Sequence, residues 1–127
     1  MPFTDVINRA ALDHIFQKAT WTQPGNLSLG LSTTTPTLAG GNITEPSGNA
    51  YARVVTDPLE WTRTDSDIEN NVRHDFPEAT GSWGTLTHFV LLDGSTLVAF
   101  GSLTASQAVT TGQQPYFNIG ELIARYI

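Results

Sequence analysis

The chain has no cysteine, so neither a disulfide staple nor a thiolate metal site is open to it. Charge is scarce as well: 14% of its 127 residues are Asp, Glu, Lys or Arg, against about 25% in an average globular protein. Its six basic residues, Arg9, Lys18, Arg53, Arg63, Arg73 and Arg125, are scattered, and the net charge is −6. Binding a phosphate backbone requires several cations on one face, so nucleic acid is excluded as a partner. No stretch approaches the roughly 18 apolar residues of a membrane span. The start, MPFTDVINRAAL, lacks the basic segment and apolar core of a secretory signal, so neither membrane nor export is expected.

Thr, Ser, Gly, Asn and Gln take the place of the missing charge, while 39% of the residues are hydrophobic. A chain of this length buries roughly two thirds of its unfolded surface, enough for one domain over residues 1–127. A weakly charged surface costs little to desolvate when a neighbour covers it, which suits assembly and self-association.

The strongest structural signal is a β-hairpin. Residues 87–92 and 96–100 are mostly β-branched, aromatic or aliphatic, and Asp93-Gly94 between them tolerates the positive φ angles of a tight turn. With Leu92 facing Ser95, one face carries His88, Val90, Leu92, Leu97 and Ala99. The other carries Thr87, Phe89, Leu91, Val98 and Phe100. Both faces are apolar, which predicts a hairpin central in a sandwich or covered by another subunit.

Upstream, Thr4 is a helix-capping residue, and Val6, Ile7, Ala10, Ala11, Ile15 and Phe16 recur at helical spacing. A helix over residues 5–18 is predicted, its stripe lying on the sheets. Leu27-Ser28-Leu29-Gly30-Leu31 alternates as a half-buried strand does. Residues 33–50 are rich in Thr, Pro and Gly and predict a long surface loop, reaching a partner or disordered. Strands are expected over residues 51–55, 59–63, 67–76, 116–119 and 122–127. The last is preferred to a helix because Gly120 breaks the run and a helix of about six residues is marginal. The fold class is therefore mainly β, a sandwich or jelly roll over 27–127 with one amino-terminal amphipathic helix.

No chemistry assembles. His74-Asp75 resembles a hydrolase dipeptide, but neighbours on a strand point to opposite faces and partner ligands are lacking. His14 and His88 read as packing residues. Asp65, Asp67, Glu69, Asp75 and Glu78 lie among Thr, Ser and Asn, a solvated acidic edge rather than an acid–base pair. No phosphate-binding glycine loop precedes a helix. The chain reads as a non-enzyme without a cofactor. Trp83, within Gly-Ser-Trp-Gly, is the structural tryptophan, whereas Trp61, Tyr51 and Trp21 are the candidate partner or glycan contacts.

Phe76-Pro77, Trp83-Gly84, Thr87-His88-Phe89, the Asp93-Gly94 turn and Gly101-Ser102-Leu103-Thr104 occur in a distinctive order. With Leu12-Asp13-His14-Ile15-Phe16, Leu27 to Ser32, and Gly48 to Arg53, they resemble small phage virion proteins labelled tail fibre or minor structural proteins. That resemblance implies a tail- or fibre-associated virion component, made in the host cytoplasm, that assembles with itself and with tail or major capsid proteins. It carries over no catalytic residue. A capsid cement or decoration protein and a carbohydrate-binding module are the alternatives.

Overall fold

The computed structural model describes residues 1–125. Its elements run α1 (Asp5–Ile15), β1 (Ser28–Ser32), β2 (Val54–Val55), a single 3-10 turn (Pro58–Glu60), β3 (Trp61–Thr64), β4 (Asp67–Asn70) and β5 (His74–Asp75). There follow β6 (Gly84–Asp93), β7 (Thr96–Val109), β8 (Tyr116–Phe117) and β9 (Ile123–Arg125). The strands form a four-stranded sheet in the order β2-β1-β6-β7, a three-stranded sheet β3-β4-β9 and the pair β5-β8. All pairings are antiparallel. The result is the mainly β sandwich with one amino-terminal helix that the periodicity predicts.

One core joins the sheets. Leu29, Leu31, Leu86 and Leu91 of the large sheet meet Phe76, Phe117 and Leu122, with Trp61 packed at the margin. Aromatic rings run through it. Phe117 makes edge contacts with Phe76 and Phe89, and Tyr51 meets Trp83 edge-on at 5.2 Å between centroids. Such contacts add to what the buried area alone provides.

The hairpin forms, with its turn one residue later than expected. Asp93 pairs with Thr96, so the two-residue loop is Gly94-Ser95. Gly94 has φ +61°, and a glycine leading the loop fits a II′ turn, whose twist matches that of the strands. Leu92 consequently faces Leu97, and an irregularity at Val98 sets Ala99 opposite Leu91 and Phe100 opposite Val90. Ala99 and Phe100 therefore exchange the faces expected of them. Both faces are apolar, yet no second subunit is needed over the outer one. Val90, Leu92 and Leu97 are covered by Ile43 from the chain's own loop, with Phe100 beside it.

That loop is ordered by its own polar groups. Thr33 N–H donates to Thr44 O at 2.9 Å, Thr34 Oγ1 to Asn42 O at 2.7 Å, and Asn42 Nδ2 back to Thr35 O at 2.7 Å. The segment doubles back and lays Ile43 on the sheet.

Elsewhere the boundaries shift for local reasons. The stretch expected as one strand over 67–76 divides into β4 and β5, which belong to different sheets. Asn70 bends the chain between them: its Nδ2 donates to Val72 O and Asn118 O, both at 2.9 Å. Asp57-Pro58 turns the expected 59–63 strand into a 3-10 turn followed by β3. Its capping box has Leu59 N–H on Asp57 Oδ1 and Asp57 N–H on Glu60 Oε1. The carboxyl-terminal apolar segment is a strand, β9; its last two expected residues lie outside the described residues.

The helix departs most from expectation. It stops at Ile15, and of its expected stripe only Ile7 and Ala11 are buried. Val6, Ile15 and Phe16 are exposed, as is Leu12. Thr4 occupies the N-cap position without capping through its side chain. Instead its Oγ1 donates to Leu97 O at 2.6 Å and its N–H to Val98 O at 3.0 Å, pinning the helix start to β7.

Candidate functional site

Of the three aromatic residues singled out by the sequence, two share a cleft. Trp21 and Trp61 line one cleft of about 360 Å3 together with Met1, Phe3, Ile7, Leu27, Ile68, Leu91, Val98 and Ala124. Its walls are almost wholly apolar, with Thr56 and Gln23 as the polar side chains. Trp61 spends its indole N–H on Thr56 Oγ1 at 3.1 Å, and its ring lies 6.3 Å from that of His74. Trp21 follows α1, and its backbone N–H donates to His14 Nδ1 at 3.2 Å.

The helix that leads to Trp21 carries apolar groups without cover. Leu12, Ile15 and Phe16 have 52%, 62% and 68% of their surface exposed, and at spacings of three and four they share one face of α1. An apolar ridge therefore runs along the helix that leads to Trp21.

Tyr51 stands elsewhere, inside the fold. Its hydroxyl accepts from Leu31 N–H at 2.9 Å and donates to Glu45 Oε1 at 2.7 Å, and burial pushes the phenol well up from its ordinary pKa. Arg53 completes the group, donating from Nη2 to Glu45 Oε2 at 2.7 Å and from Nη1 to Gly94 O at 2.8 Å. Burial raises the Glu45 carboxyl, but the hydrogen bonds from Arg53 and Tyr51 and the Arg53 charge outweigh it and leave its pKa lowered. This network ties the long loop to β1 and to the hairpin turn.

A larger cleft, of about 650 Å3, opens between the far half of β7 and the segment leading into β8. Its cause is visible in the ladder: pairing passes from Leu86–Gln107 to His88–Ser102, so β7 bows outward opposite Thr87. Leu31, Leu86, Phe89, Val109 and Phe117 form the apolar part. Ser102, Thr104, Gln107, Gln113, Gln114, Tyr116, Asn118 and Glu121 form the polar part. Tyr116 is 47% exposed, with the Arg73 guanidinium carbon 3.7 Å from its ring centroid. None of these residues is among the contact candidates taken from the sequence, which are Trp61, Tyr51 and Trp21. Gln113-Gln114-Pro115-Tyr116 is a local hint, but the bowing of β7 that makes a cleft of it has no sequence signature.

The remaining sequence candidates take structural places. His74 is buried on β5 while its neighbour Asp75 is exposed and pairs with Arg73 at 2.7 Å, as alternation requires. Asp67 pairs with Arg125 across β4 and β9. His14 accepts from Trp21, and His88 Nδ1 lies 2.8 Å from Thr87 Oγ1. Among the described residues no three His, Asp or Glu side chains converge as a metal site would require. No helix of the structure is long and apolar enough to cross a membrane.

The model of the family described as Podophage GP4 fiber I protein gp80 matches residues 2–125. No curated protein matches the chain.

Proposed function

The chain belongs to the family described as Podophage GP4 fiber I protein gp80, a phage fibre family and hence one of virion structural proteins, and from that premise we propose that it works by assembly rather than catalysis. In this reading residues 1–127 act as one domain, made in the host cytoplasm and built into the tail or fibre through contacts with further copies and with other virion proteins. The observation that carries it is the bare apolar ridge at the end of α1, Leu12, Ile15 and Phe16, in a chain that covers the outer face of its hairpin with its own loop. Exposed apolar surface of this kind marks an interaction site, and the low charge of the chain keeps desolvation cheap. The occupant of the ridge is a second copy. Trp21 and Trp61, which line the apolar cleft, are the partner-contacting aromatic residues.

Sedimentation velocity over a concentration series tests this. The wild type forms a discrete oligomer, and Phe16→Asp shifts it to monomer without lowering the melting temperature. A wild type that stays monomeric at the highest concentrations overturns the self-assembly. Counting copies per particle decides the location: a copy number matching the capsid subunits, rather than the far fewer tail positions, makes it a capsid decoration protein instead.

A further inference from the structure

We propose that the cleft between the bowed part of β7 and the segment entering β8 binds a neutral saccharide chain. The inference rests on that cleft alone and not on the apolar ridge of α1. Its volume, about 650 Å3, lies within the roughly 300–1,000 Å3 of small-ligand sites.

The chemistry of the walls selects the ligand. Gln107, Gln114 and Asn118 each present a side-chain amide, and none of the three amides hydrogen-bonds another described residue. A primary amide offers donors and an acceptor side by side, the match for a hydroxyl, which is both. The ring of Tyr116, one face of which is covered by the Arg73 guanidinium, and that of Phe89 supply apolar surface for the C–H side of a pyranose, Tyr116 through its other face.

Charge argues against other ligands. No lysine or arginine is among the described residues lining the cleft, and Glu121 is, so phosphate and other anions are disfavoured. Glu121 Oε1 accepts from Asn118 N–H at 2.8 Å, which fixes the carboxylate and leaves its second oxygen for a ligand hydroxyl. Arg73, the nearby cation, is engaged by Asp75 at 2.7 Å. A peptide adding itself to the edge of β7 would need an even run of N–H and C=O groups, and the irregular stretch between Ser102 and Gln107 interrupts it.

The test is an array of neutral and charged oligosaccharides probed with the purified chain, followed by calorimetric titration of the best ligand and of its constituent monosaccharide. The proposal expects hexose- or N-acetylhexosamine-containing neutral chains to bind, more tightly than the monosaccharide. Gln107→Ala/Gln114→Ala should weaken binding by about tenfold or more, the scale of lost ligand hydrogen bonds, with an unchanged melting temperature. Trp21→Ala should leave it intact. An array without signal, binding confined to charged glycans, equal affinity for monosaccharide and chain, or binding that survives the double substitution and fails in Trp21→Ala would each overturn it. Loss of self-association in Phe16→Asp with saccharide binding kept would separate this cleft from the assembly surface.

Discussion

Asn70 and Leu122 are bonded both ways: Asn70 N–H donates to Leu122 O at 3.2 Å, and Leu122 N–H donates to Asn70 Oδ1 at 3.0 Å. Both residues are fully buried. With Nδ2 on Val72 O and Asn118 O, this one amide satisfies three backbone groups outside the strand ladders, one in the β4–β5 connection and two in the β8–β9 connection. Asn70→Ala leaves those groups without their partner, the Leu122 N–H in a fully buried position. It should destabilise the protein by about 2–4 kcal/mol, since a buried unpaired polar group costs roughly 1–3 kcal/mol. Urea unfolding measures it, and a change under half a kcal/mol contradicts the role given to Asn70.

Gly101 is required by the ring beside it. A Cβ built there would stand 2.5 Å from Phe89 Cζ and 2.8 Å from Cε1, and the Phe89 ring is held by Phe117 at 5.3 Å. Gly101→Ala should cost about 1–3 kcal/mol, the usual range for overpacking. Adding Phe89→Leu should recover part of that loss, because the shorter side chain frees the space. Thermal melts of the single and double variants give the coupling directly.

These two contacts mark the limit of what the sequence makes legible. The β-rich sandwich follows from residue alternation, and the hairpin from two apolar runs around a glycine turn. Its register does not, because a turn at Gly94-Ser95 and one at Asp93-Gly94 are compatible with the same pattern, and the irregularity at Val98 depends on packing. Period alone also cannot say which side of α1 finds a partner. The spacing of Val6, Ile15 and Phe16 is as helical as that of Ile7 and Ala11, yet only the latter two are buried. The cover over Val90 and Leu92 comes from Ile43, a lone apolar residue in a polar loop. The larger cleft arises where β7 bows, a tertiary effect invisible in local propensity. Trp21 and Trp61, forty positions apart, line one cleft with residues from both ends of the chain, a placement set by the tertiary fold.

The Glu45–Arg53–Tyr51 group predicts a pH dependence. The Glu45 carboxyl is held below its ordinary value despite the opposing effect of burial. A carboxylate with a lowered folded pKa contributes stability that is present above its unfolded value, near 4.5, and is lost as pH falls through the folded one. Acid should therefore loosen the loop from the hairpin turn. Glu45→Gln should be less stable than the wild type at neutral pH and should approach it as the pH drops below that of a free carboxylate. Melting curves across the acid range check this, and a difference that stays constant with pH rules out the linkage.

His74 Nε2 is buried and makes no hydrogen bond to a described residue. A buried polar atom without a partner is a cost, so an apolar side chain of similar size should be tolerated or favoured. His74→Leu should change stability by no more than about 1 kcal/mol, in either direction. A loss of several kcal/mol in denaturant unfolding would mean that the imidazole has a partner or a role beyond packing against Trp61.

The last prediction separates the attachment of α1 from its exposed ridge. Besides the buried Ile7 and Ala11, attachment lies in the residues ahead of the helix: Met1 N donates to Ile123 O at 3.0 Å, Phe3 bridges to Ala99, and Thr4 bonds Leu97 and Val98. Removing residues 1–4 breaks all of these and should lower the melting temperature, with Thr4→Ala alone costing about 1–2 kcal/mol for its buried hydroxyl bond. Leu12→Asp and Phe16→Asp alter groups already in water and should stay within about 0.5 kcal/mol of the wild type, as surface changes do. If both ridge variants unfold the protein, the helix packs its outer face within one chain, and the ridge is core rather than an assembly surface.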